Sequence, residues 1–297
     1  MSTPLDPEDI LSESLETLYD YAPITLSSSG SSYTYTPSPN SVYAQTARGR
    51  LMKITLKTPE TEPENWSLHA SSIWISSVYL ADHLDELHID KEIAHARDRE
   101  ELPLRVLELG AGAGLPSILI AKRFQDDVFV VASDYPDDPL IETLSDNIVK
   151  NKVMSYCRPV PYKWGANPDD ILNVIRHCPR FEEYERATAD DGFDIVIAAD
   201  TLWNPDLHPL LLQTLQWMLR KTVLARIYLI AGLHTGRYPL QLFMNALPAY
   251  GFEIDEIDER ETLGSKRREW SVERGEGENE RERRKWVLWI CVKWKAE

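Results

Sequence analysis

Alternating apolar and polar blocks predict a series of strands and helices through the middle of the chain. Residues 106–109 form an apolar run, residues 115–119 carry apolar side chains at helical spacing, and residues 128–131 form a second apolar run. Short continuous apolar runs are typical of strands that are covered on both faces. The pattern therefore predicts a buried strand, a helix and a second buried strand. Three glycines at spacing two separate the first strand from the helix.

Further apolar runs follow, and each is ended by a polar or turn segment. They predict strands over residues 158–164, 193–199, 226–233, 252–257 and 286–294. Segments with helical spacing separate most of them, and the last two strands, joined by a long polar turn, can pair only as an antiparallel hairpin. We therefore expect an α/β fold: a seven-stranded, mostly parallel, doubly wound sheet of Rossmann-like type with a C-terminal antiparallel hairpin.

Other parts of the chain differ from this core in composition. Residues 23–41 are rich in Ser, Pro and Thr, which contributes to the prediction of a flexible N-terminal extension over residues 1–45 and a folded domain over residues 46–297. A strand outside the main sheet is expected at residues 51–56. Residues 258–285 are dense in mixed charge, which predicts a solvated hairpin insertion or a disordered loop.

The glycines at positions 110, 112 and 114 have the pattern of a nucleotide-binding turn. A sharp strand-to-helix turn requires unusual backbone angles, and a ligand approaches the backbone most closely where there is no Cβ. The helix beyond the turn offers unpaired N–H groups. Asp134 ends the second strand at the same crevice, and an acid about 20 residues beyond the glycines typically binds the ribose hydroxyls.

Glu108 indicates which nucleoside the crevice binds. It stands two residues before Gly110, where a carboxylate would repel a pyrophosphate but attract S-adenosylmethionine, which carries a sulfonium and an ammonium and no phosphate. The glycine spacing is also G-x-G-x-G instead of G-x-G-x-x-G. These residues favour the methyl donor over NAD, and a dehydrogenase stays the alternative. No G-x-x-x-x-G-K-[ST] motif supports a nucleoside triphosphate site.

Charge and composition narrow the expected partners. The 297 residues carry a formal net charge of −16, from 32 basic and 48 acidic side chains. A free-standing nucleic-acid binder usually has a basic face, so we expect no direct nucleic-acid partner; the acidic surface suits a basic partner or simply keeps the protein soluble. Three widely spaced cysteines predict neither a disulfide framework nor a metal site. No apolar run has the length of a membrane span, and we expect a cytoplasmic monomer.

Four segments of the chain together resemble one protein family. They are VLELGAGAGLPSI at the first strand and turn, SDYPDDPL after the second strand, a Trp-Gly pair after the third and ADTLWN after the fourth. The set resembles the class I, seven-strand methyltransferases, and among them the family 16 lysine methyltransferases. The segment after the second strand is similar to that of the fungal nicotinamide N-methyltransferase-like enzymes, which methylate the N-terminal glycine and the adjacent lysine of translation elongation factor 1-alpha. The resemblance covers about residues 66–257 and resumes at residue 286.

This resemblance implies a set of site residues. The residues implied to bind S-adenosylmethionine, and its product S-adenosylhomocysteine, are Trp74, Gly110, Ala111, Gly112, Asp134, Trp164 and Ala199. The family's D-x-x-Y motif, which faces the substrate nitrogen, falls on Asp200 and Trp203, so these two are the candidate catalytic residues. Elongation factor 1-alpha is the implied protein substrate. Trp203 stands where the family has Tyr, which keeps aromatic packing but removes a hydroxyl.

Other readings of these residues stay open at the level of sequence. The Ser-rich segment before Trp74 departs from the family pattern, and such an entrance would also admit a small molecule such as nicotinamide. The Trp203 change would fit a protein that binds the donor without catalysis. Asp200 could instead be the N-cap of the next helix, while Trp74 and Trp164 could be packing residues of the core or an edge.

Overall fold

The computed structural model describes residues 24–38, 41, 43, 52–178 and 191–296. The strands described are β1 (Ser32–Tyr35), β2 (Ile54–Lys57), β3 (Leu104–Leu109), β4 (Val128–Asp134), β5 (Cys157–Pro161), β6 (Ile195–Ala199), β7 (Arg226–Gly232), β8 (Phe252–Glu261), β9 (Arg267–Arg268) and β10 (Trp286–Trp294). The helices described are α1 (Ile75–Asp82), α2 (Ile89–Asp98), α3 (Leu115–Phe124), α4 (Asp138–Lys150), α5 (Asp169–Arg176), α6 (His208–Met218), α7 (Arg237–Ala246) and α8 (Glu280–Arg283). Within these residues, none of the helices combines the length and apolar character needed to cross a bilayer.

Eight of the strands form one sheet, in the order β5-β4-β3-β6-β7-β10-β8-β9. Neighbours from β5 to β7 are parallel, whereas β10 pairs antiparallel with both β7 and β8. The expected α/β sheet with its C-terminal antiparallel hairpin is confirmed, and the eighth strand, β9, is a two-residue addition beyond the seven predicted. The chain moves outward from β3 to β5 and then returns to the other side of β3. This reversal opens a crevice above the ends of β3 and β6.

Both faces of the sheet are covered by helices. Successive residues of β3 point to opposite faces: Val106 belongs to a core that includes side chains of α1 to α4, and Leu107 belongs to one that includes side chains of α5 to α7. Every residue of β3 and β4 is consequently buried. This burial explains why their sequences read as continuous apolar runs and not as alternating ones.

A separate two-stranded sheet lies before the main sheet in the chain. β1 pairs antiparallel with β2, which confirms the strand expected outside the main sheet. Residues 32–35 lie within the predicted flexible extension; they pair with β2, and Tyr35 is buried with its hydroxyl donating to Asp82 Oδ1 at 2.6 Å. Residues 1–23, in the same predicted extension, lie outside the described residues.

Two asparagines one turn apart, Asn147 on α4 and Asn151 at its C-cap, connect β2 to the rest of the domain. Asn147 Oδ1 accepts a hydrogen bond from the Lys57 N–H at 2.7 Å, and its Nδ2 donates to the Lys57 carbonyl at 2.9 Å. Asn151 makes the same pair of bonds with Thr55. Asn147 Nδ2 also donates to the Ala113 carbonyl at 3.0 Å. One helix thus substitutes for a neighbouring strand and fixes part of the glycine turn.

The charged insertion is more ordered than its composition predicts. β8 continues to Glu261, and the residues after it contain β9 and α8. Arg237 at the start of α7 forms a two-bond ion pair with Glu259, at 2.5 and 2.8 Å, and a further pair with Glu278. The prediction of a solvated or disordered segment is therefore wrong for Glu259 and Glu278, whose side chains are 0% and 5% exposed. Buried guanidinium partners make these charges part of the packing.

Candidate active site

The C-terminal ends of β3 to β7 surround a cavity of about 340 Å³. Ligands of open α/β sheets bind at this edge, where the strand order reverses. All nine residues predicted from the sequence line this one cavity: Trp74, Gly110, Ala111, Gly112, Asp134, Trp164, Ala199, Asp200 and Trp203. Parallel strands bring their ends together, so residues from five separate segments meet there.

The glycine turn between β3 and α3 forms one wall of the cavity. Gly110 and Gly112 have φ angles of 71° and 53°, in the left-handed region that disfavours other residues. A β-carbon at Gly112 would meet no atom within 4 Å, so this glycine leaves open space on the cavity side. At Gly110 it would lie 2.9 Å from Thr201 Cγ2. The missing side chain at Gly112 therefore leaves room on the cavity side, and the missing side chain at Gly110 leaves room for the loop after β6.

Asp134 at the end of β4 is held by backbone donors. Its Oδ2 accepts from the Gly112 N–H at 2.6 Å, and its Oδ1 accepts from the Tyr135 N–H at 2.7 Å. Burial raises the pKa of this carboxyl to about 6, while the two N–H groups act to lower it. A carboxylate oxygen can accept more than one hydrogen bond, so both oxygens keep capacity for ligand hydroxyls.

Glu108 lies beneath the glycine turn and is 1% exposed. One oxygen accepts hydrogen bonds from both the hydroxyl and the N–H of Ser117 in the first turn of α3. Burial raises the pKa of Glu108 to about 8, although the bonds from Ser117 lower it. The sequence predicts a carboxylate at this position. Desolvation in the buried position favours the protonated form of this carboxyl.

Trp164 reaches the cavity from a turn and not from a strand. The predicted third strand was expected to extend to Trp164, but β5 ends at Pro161. The turn is closed by a bond from the Tyr162 hydroxyl to the Ala166 carbonyl, at 2.9 Å, and Gly165 has a φ of 78°. The Trp164 ring edge lies 3.7 Å from where a Gly110 β-carbon would be. The indole therefore adjoins the glycine turn.

Asp200 follows β6 in a left-handed conformation, with φ 57°. Its N–H donates to the Ile230 carbonyl at 2.7 Å, and its Oδ1 accepts from the Gly232 N–H at 2.9 Å. Oδ2 is shielded from solvent, and the Ser76 hydroxyl lies near the carboxyl. The N-cap alternative is wrong for Asp200, because Asn204 caps the next turn. Burial raises the pKa of Asp200, and charge on His234 acts to lower it.

Four rings from different segments lie together at the cavity, and we call them the aromatic mouth: His69, Trp74, Trp203 and His234. The Trp203 ring meets His69 edge-on at 5.0 Å between centroids. Trp74 stacks on His234 at 5.3 Å with 15° between the planes, and its Nε1–H donates to the His69 carbonyl at 2.8 Å. Trp74 stands at the N-cap of α1, so its ring faces the cavity instead of the helix core.

Sequence reasoning did not assign a role to His69, His234, Tyr135 or Lys163, which also line the cavity. Tyr135 directly follows β4, and His234 is the second residue after β7. Their positions at strand ends could therefore have identified them as site residues from the sequence. Lys163 lies with its Nζ 5.9 Å from the Tyr135 ring centroid. His69 follows the turn Pro63–Leu68, and no spacing in the sequence marks it as a neighbour of Trp203.

Comparison with known proteins identifies the class of protein to which this chain is similar. A family model described as lysine methyltransferase matches residues 55–177. The protein N-terminal and lysine N-methyltransferase efm7 of Schizosaccharomyces pombe is 30% identical over 194 residues, covering 64% of this chain and 68% of that protein. The protein of the same name from Debaryomyces hansenii is 30% identical, covering 50% of this chain and 52% of its own length.

A third relative has a narrower name. The protein-lysine N-methyltransferase EFM2 of Saccharomyces cerevisiae is 25% identical over 163 residues, covering 52% of this chain and 35% of that protein. The chain thus spans about two thirds of the first relative and about half or less of the other two.

These matches and the sheet topology agree on one class of protein. The chain belongs to the lysine methyltransferase family. It is a methyltransferase, and its methyl donor is S-adenosylmethionine.

Proposed function

We propose that this chain methylates the N-terminal glycine amine, the adjacent lysine, or both, of translation elongation factor 1-alpha. The observation that carries the proposal is the Asp200 carboxyl beside the aromatic mouth, because a carboxyl group flanked by rings suits an ammonium group. The names of the fungal relatives, protein N-terminal and lysine N-methyltransferases, support a protein amine as the acceptor. The SDYPDDPL segment supports elongation factor 1-alpha as the protein.

The donor side of the proposed site consists of the glycine turn and its neighbours. The open space at Gly112 fits close approach of the methionine part, and Asp134 offers acceptors for the ribose hydroxyls. Trp164, Trp74, Ala111 and Ala199 provide apolar surface around them. The buried Glu108 carboxyl supplies a negative charge once a cation offsets its desolvation.

The donor supplies a methyl group that its sulfonium already activates. The chain's main task is then to position a neutral amine in line with it, which can contribute several kcal/mol to lowering the barrier. In this proposal Asp200 orients the amine and Trp203 borders the methylated cation, for which a ring face is favourable. Trp203 has no hydroxyl, so its contribution is packing.

Radiolabelled donor and purified elongation factor 1-alpha provide the test. We expect label in the N-terminal tryptic peptide of the factor, and mass spectrometry should assign it to the terminal amine or the adjacent lysine. Asp200→Asn should lower kcat by at least ~100-fold while donor affinity changes little. Label on other residues, or none, contradicts the proposed acceptor.

Nicotinamide is the control acceptor. Turnover of nicotinamide in the absence of protein would favour a small-molecule methyltransferase instead. The proposal also places the enzyme in the cytoplasm as a monomer. Fluorescence microscopy of the tagged protein and light scattering of the purified protein measure these two properties.

A further inference from the structure

His234 lies beside Asp200 and has no assigned role in the site described so far. It stands in the short turn Leu233–Thr235, directly after β7. Its ring stacks on Trp74, with centroids 5.3 Å apart. Both His234 and Asp200 line the cavity. A titratable imidazole is therefore fixed within the aromatic mouth by packing on one face.

Gly232 shows how closely the two side chains approach each other. A β-carbon at this position would lie 2.4 Å from His234 Nδ1 and 3.2 Å from Asp200 Oδ1. The backbone of Gly232 has φ −66° and ψ 137°, which any residue adopts. The absence of a side chain is thus required by space and not by conformation, because the imidazole of His234 occupies the place where Cβ would be.

We propose that His234, held beside Asp200 by Gly232 and Trp74, accepts the proton that the acceptor amine must lose before it is methylated. This inference rests on the proposed amine methylation. Asp200 binds the incoming ammonium group, and the imidazole of His234 lies next to it. A carboxylate near an imidazole also stabilises the imidazolium that results, which makes the transfer more favourable.

The step balances as follows. A neutral His234 takes one proton from the ammonium group and becomes imidazolium, which leaves a neutral amine with a lone pair. The nitrogen then bonds to the methyl carbon as the carbon–sulfur bond breaks and its electron pair stays on sulfur. The imidazolium returns its proton to solvent. A secondary ammonium product can lose one of its two nitrogen-bound protons to His234 in the same way before a second transfer.

The other titratable groups at the cavity are less suited to this task. Glu108 bonds to Ser117 beneath the glycine turn, and Asp134 is bonded by Gly112 and Tyr135 at the donor side. Lys163 lies near Tyr135. His69 remains as a rival base, since it borders Trp203 at 5.0 Å and Trp74 at 6.3 Å.

A pH–rate profile separates proton transfer from packing. The acceptor is a peptide that begins Gly-Lys, and kcat is measured from pH 6 to pH 9. For His234→Asn we expect a loss of roughly 10- to 100-fold at pH 7 that shrinks as the pH approaches about 8, where the α-amine deprotonates in solution. His69→Asn should keep the wild-type profile shape. A loss in His234→Asn that is equal at every pH contradicts the proposal.

Two further variants test whether His234 acts through proton transfer or only through packing. His234→Ala should regain activity with added imidazole in a concentration-dependent manner, whereas a packing defect would not. Gly232→Ala keeps both titratable groups but displaces the imidazole, so it should show the same pH-dependent loss as His234→Asn. His95→Asn is the matched control, because His95 is exposed on α2, away from the cavity, and its profile should equal that of the wild type. Absence of imidazole rescue contradicts the role of His234.

A binding measurement keeps this test independent of the proposed acceptor. In the protein saturated with S-adenosylhomocysteine, NMR follows the His234 ring signal, assigned by its loss in His234→Asn. Adding n-butylammonium should shift the His234 ring signal, because a cation bound at Asp200 lies beside the imidazole, and the His95 signal should not move. An unchanged His234 signal overturns the inference. Failure of the elongation factor assay alone overturns only the proposed acceptor.

Discussion

At the scale of single residues, Glu108 illustrates how the fold changes the chemistry of a side chain. Its carboxyl has a pKa near 8 because it is buried, so a bound cation must displace its proton. We therefore expect donor affinity to increase with pH between 6 and 7.5, by up to ~10-fold per pH unit, since binding favours the ionised form. The donor's own α-ammonium remains mostly charged up to about pH 7.5, since an α-amino group has a pKa of about 7.7–8.0. Calorimetry in buffers with different ionisation enthalpies measures the affinity and the released protons.

Glu108→Gln tests the source of this pH dependence. The amide keeps a hydrogen-bond acceptor for Ser117 but cannot ionise, so the variant should bind the donor more weakly at pH 7.5 and with a flatter pH profile. Asp134 titrates lower, near pH 6, and contributes less above pH 7. Glu92→Gln on α2 is the control. A slope that persists above pH 7 in Glu108→Gln contradicts the assignment.

Alanine substitutions at two glycines of the same turn should have different effects on donor affinity and stability. Alanine at Gly112 would direct its methyl group into open cavity space, so donor affinity should fall at least ~10-fold with a stability loss of about 1–2 kcal/mol from the left-handed backbone. Alanine at Gly114 would place its methyl group 2.6 Å from Leu144 Cδ1, so its main effect should be on stability. Calorimetry and urea unfolding of both variants provide the comparison. The reverse pattern would contradict the cavity assignment.

At the scale of elements, the ion pairs of Arg237 hold the insertion after β8 against α7. Arg237 is 1% exposed and bonds both Glu259 and Glu278. Arg237→Met should reduce the free energy of unfolding by about 3–5 kcal/mol, because it leaves buried carboxylates without a main partner. Urea unfolding measures this loss, and hydrogen exchange over residues 262–285 should accelerate. Arg97→Met removes an exposed pair and should cost less than about 1 kcal/mol.

The free energy of unfolding at acid pH should depend on the same ion pairs of Glu259. Burial acts to raise the pKa of Glu259, but Arg237 and Arg268 outweigh it and hold the pKa below its ordinary value. The native state therefore binds fewer protons than the unfolded state, so this contribution is present above the ordinary pKa and is lost as the pH falls through the native pKa.

The pattern of apolar residues along the chain predicted most strands and helices but placed some of their ends wrongly. β3, β6 and β10 match their apolar runs closely, because burial on both faces leaves a continuous signal. β5 ends at Pro161, three residues early, since the turn that follows is fixed by a hydrogen bond of Tyr162 that no pattern reveals. β8 extends to Glu261 because Glu259 and Arg260, both fully buried, find ionic partners.

At the scale of the whole molecule, the net charge of −16 should influence how a basic acceptor is captured. Long-range attraction increases encounter rates and is screened by salt, with a Debye length of about 8 Å at 0.15 M. For the proposed protein acceptor we expect KM to rise several-fold between 50 and 300 mM salt, with kcat nearly constant. Steady-state kinetics measure both. A salt-independent KM would mean that the charge acts only on solubility.

The sequence by itself determined the class of fold and one side of the site. The glycine turn, Asp134 and the residues after β6 are contiguous motifs, and the apolar period dictates the strands whose ends they follow. These features act locally along the chain, so each could be read without knowing its neighbours in space.

Only the tertiary structure decided how these segments act on one another. It placed His69 and His234 with Trp74 and Trp203, buried the Asp200 carboxyl beside them, and raised the pKa of Glu108 by burial. Desolvation and ring packing depend on which residues from distant segments meet in space. That information is carried by the three-dimensional arrangement of the strands, and no spacing along the chain contains it.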